Sequence, residues 1–275
     1  MTKCGAAITT GSWLTDNMNI LITNDDGIHA EGLVALKNEL QKIGRVQVIA
    51  PDRPRSACGH SITLHKPLRA DPVKLSDGSI GYSSNGTPSD CVSLGLHGVV
   101  EGSIDLIVSG INLGPNLGWD LTYSGTVSAA MEGAVAGLPS IAVSLVCDKH
   151  RPDVDYSYAA AVTRDLALKL MEHGFPKHTL LNVNVPDLPE NEIKGVAITI
   201  QGKREYDGEL ETRVDPSGRR YYWLRSDGPK DTLDEGTDVR AVSNGWVSVT
   251  PVHLDLTDYK SVELMRSWAI ESSKE

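Results

Sequence analysis

Two hydrophobic periods take turns along this chain. "NILIT", Asn19 to Thr23, is a short β-rich apolar run, and from Ile28 the apolar residues Ile28, Leu33, Leu36 and Leu40 recur at helical spacing. "RVQVIAP", Arg45 to Pro51, is a second β-branched run and leads into the polar loop "DRPRSACGHS". Ile62 to Asp90 is rich in Gly, Pro and Ser and predicts short strands and turns, whereas "DCVSLGLHGVV", Asp90 to Val100, has helical spacing. "IDLIVSG", Ile104 to Gly110, is apolar without alternation, as expected of a parallel strand covered on both faces. "SGTVSAAMEGAVAGLP", Ser124 to Pro139, opens with helix-capping chemistry and stops at Gly and Pro. "SIAVSL" is the next strand, Tyr156 to His173 the next helix, and "LLNVNVPDLP" a strand broken by Pro186.

Strands alternating with helices predict an α/β fold with right-handed crossovers and a three-layer, mostly parallel sheet. The pattern changes near residue 195. "GVAITI", "RRYYWLR" and "GWVSVTPV" alternate with no helix between them, which predicts an antiparallel hairpin region. The charged, Gly-rich spans 205–218 and 226–238 read as exposed loops or an extended arm, and an amphipathic helix over 257–270 closes the chain. The expected organisation is one domain over 18–275, with arm and oligomerisation region from about 195 onward. Residues 1–17 lack a basic start and a long apolar stretch, so they make a poor secretory signal. They are expected to be a disordered extension, or to follow an upstream start with Met18 the natural one.

Composition narrows the function. A hydrophobic fraction of 40% and a charged fraction of 23% belong to an ordinary globular protein, and no apolar run approaches the roughly 20 residues of a membrane span. The formal charge of −10, with no Lys/Arg block, argues against long nucleic acid as a partner. Cys4, Cys58, Cys91 and Cys147 are scattered without metal-ligand spacing, as in reduced thiols of a cytoplasmic protein.

The chemistry gathers where strands end. In an open parallel sheet, ligands bind outside the carboxyl ends of the strands. There the chain places "NDDG", "DRPRSACGHS", "SGINLGPN" and "YSGTVSAA". Adjacent Asp25 and Asp26 repel one another unless something positive neutralises them, and helix capping accounts for only one. With Ser56 and Asn112 they form a set of hard oxygen donors, which suits Mg²⁺, Mn²⁺ or Ca²⁺ better than zinc. Ser124, Gly125 and Thr126 at a helix start offer backbone N–H groups and two hydroxyls, a seat for phosphate. His60, in the second loop, is a candidate to protonate a leaving group, although a plain loop histidine explains it as well. There is no Walker loop, no G-x-G-x-x-G after the first strand and no G-x-S-x-G elbow.

"ILITNDDGIHAEG", "APDRPRSACGHSIT", "NGTPSDCV", "SGINLGPNLG" and "YSGTVSAAMEG", in that order, resemble the SurE family of survival-protein nucleotidases. The similarity runs from Met18 through "GWVSVTPVHLDLT"; the N-terminal extension is the departure. It implies a Rossmann-like core, an extended hairpin arm and an exchanged C-terminal segment in a homodimer or homotetramer. It further implies a divalent-metal-dependent phosphatase of nucleoside 5′-monophosphates, with 3′-nucleotides and short polyphosphate as further substrates. The implied metal ligands are Asp25, Asp26, Ser56 and Asn112, with one Mg²⁺ or Mn²⁺ ion. Asp25 is then expected to orient or deprotonate the attacking water, while Ser124, Gly125 and Thr126 hold phosphate oxygens. Two rivals stand beside this reading: an aspartyl-phosphate phosphatase with Asp25 as nucleophile, and a non-catalytic metal-dependent nucleotide sensor. The D-x-D spacing of the first is missing, since residue 27 is glycine.

Overall fold

The computed structural model describes residues 18–268 and 270, except 149, 150 and 152. The extension 1–17 and Cys4 therefore lie outside the described residues. In chain order the first half holds β1 (Asn19–Thr23), α1 (Glu31–Leu40), β2 (Arg45–Pro51), β3 (Ala70–Lys74), β4 (Ile80–Ser84), α2 (Pro88–Leu94) and β5 (Leu106–Leu113). Then follow α3 (Gly125–Val135), β6 (Ser140–Val146), α4 (Ser157–His173), β7 (Thr179–Pro186) and β8 (Val196–Ile198). The last elements are β9 (Lys203–Val214), β10 (Arg220–Thr232), α5 (Asp238–Ser243), β11 (Val247–His253) and α6 (Tyr259–Arg266).

A nine-stranded sheet runs in the order β3-β4-β2-β1-β5-β6-β7-β11-β8. From β4 to β7 neighbouring strands are parallel. β3 and β11 run antiparallel to β4 and β7, and β8 runs parallel to β11. The unalternating apolar runs are the central strands, with β5, β6 and β7 buried almost end to end. Leu33, Leu36 and Leu40 of α1 share one core with Ala159, Ala160 and Leu170 of α4. Cys91 and Val92 of α2, and Ala129, Ala130 and Ala134 of α3, fill the cores against other sheet residues. The result is a three-layer α/β fold whose strand order switches between β1 and β5, the position outside which open α/β sheets bind ligands.

Several boundaries differ from expectation for physical reasons. The helix expected from Ile28 starts at Glu31, because the backbone is still non-helical before it: Gly27 takes φ +102° and Ala30 is extended at φ −65°, ψ 136°. β5 continues past Gly110 to Leu113, so Asn112 stands on a strand end rather than in a loop. The pairing with β6 shifts between Ser109 and Asn112. Gly110 sits there at φ +145°, where a Cβ would lie 2.4 Å from the Val143 carbonyl oxygen. β8 and β11 join the main sheet instead of a hairpin region, and α5 lies between β10 and β11, where no helix is expected. Among the described residues, the separate antiparallel ribbon consists of β9 and β10 alone.

Candidate active site at the carboxyl ends of β1, β2 and β5

The turn after β1 is tied to itself. Asn24 is buried; its amide donates to the Gly27 carbonyl at 2.9 Å and its Oδ1 accepts the Gly27 N–H at 3.1 Å. Gly27 takes φ +102°, a conformation that strains any residue with a side chain. The chain can thus turn sharply and project both following carboxylates over the strand ends.

Asp25 is only 5% exposed. Its Oδ1 accepts a hydrogen bond of 2.5 Å from the hydroxyl of Thr126, on the first turn of α3. Its carbonyl accepts the N–H of Arg55 at 2.7 Å, which fastens the loop after β2 to the same spot. α3 approaches this closely because residue 125 is glycine: a Cβ there would lie 2.8 Å from Asp25 Cβ and 2.9 Å from Cys58 Sγ. Asp26 reaches the other way, its Oδ2 accepting the Leu113 N–H at 3.0 Å at the end of β5. Burial, and then the negative charge of Asp26, push the Tyr156 hydroxyl up to about 12. The two adjacent carboxylates therefore bridge α3 on one side and β5 on the other.

The remaining expected donors lie on segments whose backbone touches this pair: Arg55, next to Ser56, bonds Asp25, and Leu113, next to Asn112, bonds Asp26. Asn112 is buried beside Leu113, and its Nδ2 donates to the Gly114 carbonyl at 2.8 Å, so Oδ1 is the atom left to meet a cation. Ser56 is exposed on the loop between Arg55 and Cys58, both of which touch the Asp25 region. Burial first, and the charge of Asp25 second, raise the Cys58 thiol above its ordinary value, which leaves it an uncharged neighbour. Among the described residues, no three His, Cys, Asp or Glu side chains gather into a metal cluster. A cation here must rely on two carboxylates plus neutral oxygens, and that donor chemistry fits Mg²⁺ or Mn²⁺.

Ser124 and Thr126 divide their labour. The Ser124 oxygen caps α3 by accepting the Val127 N–H at 3.1 Å, while the Thr126 hydroxyl turns to Asp25. His60 does not join them; its Nε2 lies 3.0 Å from Glu132 Oε2, two turns along α3 from Gly125.

Three supports escaped sequence reading. Asp90 accepts from Thr63 N, Thr63 Oγ1 and Thr87 N, which pins the far end of the β2 loop to α2; the T-P-x-D capping-box spacing could have shown its local half. Burial opposes ionisation of Asp90, but these donors outweigh it and hold the carboxyl below its ordinary range. Asn116 is clamped by Asn184 Oδ1 on its N–H, by the Asn182 and Asn184 amides on its carbonyl, and by Ser144 on its side chain. Asp238, fully buried, accepts the N–H groups of both Gly118 and Gly202, joining the site segment to the root of the arm. The last two depend on strand pairing and have no local signature.

A family model described as "Survival protein SurE" matches residues 20–208. The chain belongs to the SurE family. It is 50% identical over 257 residues to a Geobacter sulfurreducens protein named 5'-nucleotidase SurE, covering 94% of this chain and 96% of that one. A Geotalea daltonii protein of the same name is 50% identical over 253 residues, covering 92% of this chain and 100% of that one. The crystal structure of a SurE protein from Aquifex aeolicus superposes with a TM-score of 0.78 at 44% identity, covering 91% of this chain and 99% of that one. The sequence motifs that suggested SurE thus lie in a fold shared with a solved SurE protein.

Proposed function

We propose that this chain is a 5′-nucleotidase that hydrolyses nucleoside 5′-monophosphates to nucleoside and phosphate with the help of one divalent cation. One observation carries the reading: Asp25 and Asp26, joined by Asn112 and the Arg55–Cys58 loop, converge at the switch between β1 and β5 with the start of α3 pressed against Asp25. A carboxylate pair beside a helix N-terminus is an arrangement for holding a cation and an anion together. The named relatives support the activity.

Asp25, Asp26, Asn112 Oδ1 and the Ser56 hydroxyl would hold the ion, Mg²⁺ or Mn²⁺. When bound, such an ion supplies Lewis-acid polarisation of a phosphoryl oxygen and neutralises charge. The first-turn N–H groups of Gly125 and Thr126, with the Ser124 hydroxyl, receive the remaining phosphate oxygens and stabilise charge as it develops. Asp25 orients the attacking water and takes its proton. Direct attack by water suits this site better than attack by Asp25, whose Oδ1 is already held by Thr126. Short polyphosphate and 3′-nucleotides are further substrates of the same phosphate seat.

The β9–β10 ribbon and α6 serve assembly into a homodimer or homotetramer. Among the described residues no helix is long and apolar enough to cross a membrane, and the free thiols of Cys58, Cys91 and Cys147 suit the cytoplasm. Phosphate release from AMP tests the proposal. It should vanish with EDTA and return with Mn²⁺ or Mg²⁺; nucleotide binding without phosphate release under any divalent ion would make the chain a sensor instead.

A further inference from the structure

We propose that Thr126 is a positioning residue for Asp25: its side-chain hydroxyl fixes the carboxylate and is not a phosphate ligand. This deepens the cation-dependent reading above and rests on it.

Thr126 is fully buried, with 0% exposure. A threonine hydroxyl has a single hydrogen, and here that hydrogen goes to Asp25 Oδ1, 101 residues away in sequence, across 2.5 Å. It cannot at the same time be given to a phosphate oxygen. Ser124 differs, because its oxygen accepts from Val127 and its own hydrogen is not used in that contact. The two hydroxyls at the start of α3 therefore answer to different partners, although their spacing in the sequence looks equivalent.

The geometry suits positioning. A β-branched side chain on a helix has little freedom about χ1, so α3 itself sets where the Thr126 oxygen stands. Gly125 lets that helix close on Asp25; the carboxylate's Oδ2 lies 3.1 Å from where a Gly125 Cβ would be. With Oδ1 held by Thr126, the carboxylate cannot rotate freely. Hydrogen bonds that orient a ligating carboxylate affect metal affinity or activity by about 10- to 100-fold when removed.

The test is Mn²⁺ binding to the full chain without nucleotide, read by electron paramagnetic resonance, in the parent, Thr126→Val and Thr126→Ser. Inhibition of AMP hydrolysis by inorganic phosphate is measured beside it at saturating Mn²⁺. Thr126→Val should bind Mn²⁺ roughly tenfold or more weakly, and Thr126→Ser should return to within about threefold of the parent. Phosphate inhibition should stay within about twofold in both. Parental Mn²⁺ affinity in Thr126→Val, with or without weaker phosphate inhibition, would overturn the proposal; with it, the hydroxyl would be a phosphate ligand. Equal losses in Thr126→Val and Thr126→Ser would reduce the residue to packing. Should the valine variant not fold, Thr126→Ala removes the hydroxyl without adding bulk and takes its place. If the parent itself binds no Mn²⁺, the cation site fails and this inference falls with it, an outcome distinct from a parent that binds and a variant that binds equally.

Discussion

The strand ends that carry Asp25 and Asp26 and the ribbon built by β9 and β10 treat their side chains in opposite ways. At the strand ends, three polar side chains or backbone groups are tied to distant elements of the same chain: Asp25 to α3, Asp26 to β5 and Asn116 to β7. Along the ribbon, the partners are local or cross-strand, and large apolar residues face outward, with Trp223 58% and Leu224 84% exposed. Its root is anchored to the body through Arg204 and Tyr206, which both hydrogen-bond Asp120, while Arg204 also pairs across the ribbon with Asp231. A two-stranded ribbon is at best marginally stable alone in water. One region is tied together by contacts between distant segments of the chain. The other has the surface of an element awaiting a neighbour, and α6, with no buried residue, shares that character.

The sharpest way to break this contrast is to damage the first region without unfolding it. Asp25→Asn and Asp26→Asn should each lower AMP turnover about 100-fold or more, the equivalent of losing roughly 3 kcal/mol of transition-state stabilisation. Their melting temperatures should stay within a few degrees of the parent. Near-normal turnover in either would remove the pair from the site. Gly125→Ala comes next. Its methyl group would lie 2.8 Å from Asp25 Cβ, an overpacking that costs about 1–3 kcal/mol and separates α3 from the carboxylate. Turnover should drop roughly tenfold, read by steady-state kinetics, with a lower melting temperature.

The second region should respond in assembly instead. Removing residues 257–275 should shift the protein toward monomer in sizing with light scattering; an assembly of unchanged mass would refute the role given to α6. The smallest effect concerns stability against pH, far from both regions. Lys37 hydrogen-bonds Asp77 at 2.7 Å and, with Ser79, lowers the Asp77 carboxyl from its ordinary value near 4 to about 2. A depressed carboxyl contributes stability that is present above its unfolded value and is lost as pH falls through the folded one. Chemical denaturation should therefore show this increment fading between roughly pH 4 and pH 2, and Asp77→Asn should flatten the slope in that window.

Much of the fold was legible because burial leaves a local record. β1 and β2 have the bounds their apolar runs announce, and α3 and α4 begin and end within a few residues of their capping and glycine signals. The candidate site was legible in the same way, because ligands in a parallel sheet gather at strand ends and those ends carry Asp25, Asp26, Ser56, Asn112 and Ser124 to Thr126. What escaped depends on pairing between distant segments. Nothing local in "GVAITI" tells that β8 lies beside β11, or that Asp238 will bind two glycines 84 residues apart. The hydroxyls of Ser124 and Thr126 look interchangeable in one dimension; only the approach of α3 to β1 separates a helix cap from a partner of Asp25.

In the proposed mechanism, Asp25 and Asp26 together hold the cation on which hydrolysis depends. The most direct measurement is Mn²⁺ binding and AMP turnover on the same samples of the parent and of the Asp25→Asn/Asp26→Asn double variant. The parent should bind one ion per chain, and a double variant that still folds should lose both binding and turnover. A folded double variant that binds Mn²⁺ as tightly as the parent, or that still releases phosphate from AMP at the parent's rate, would contradict it.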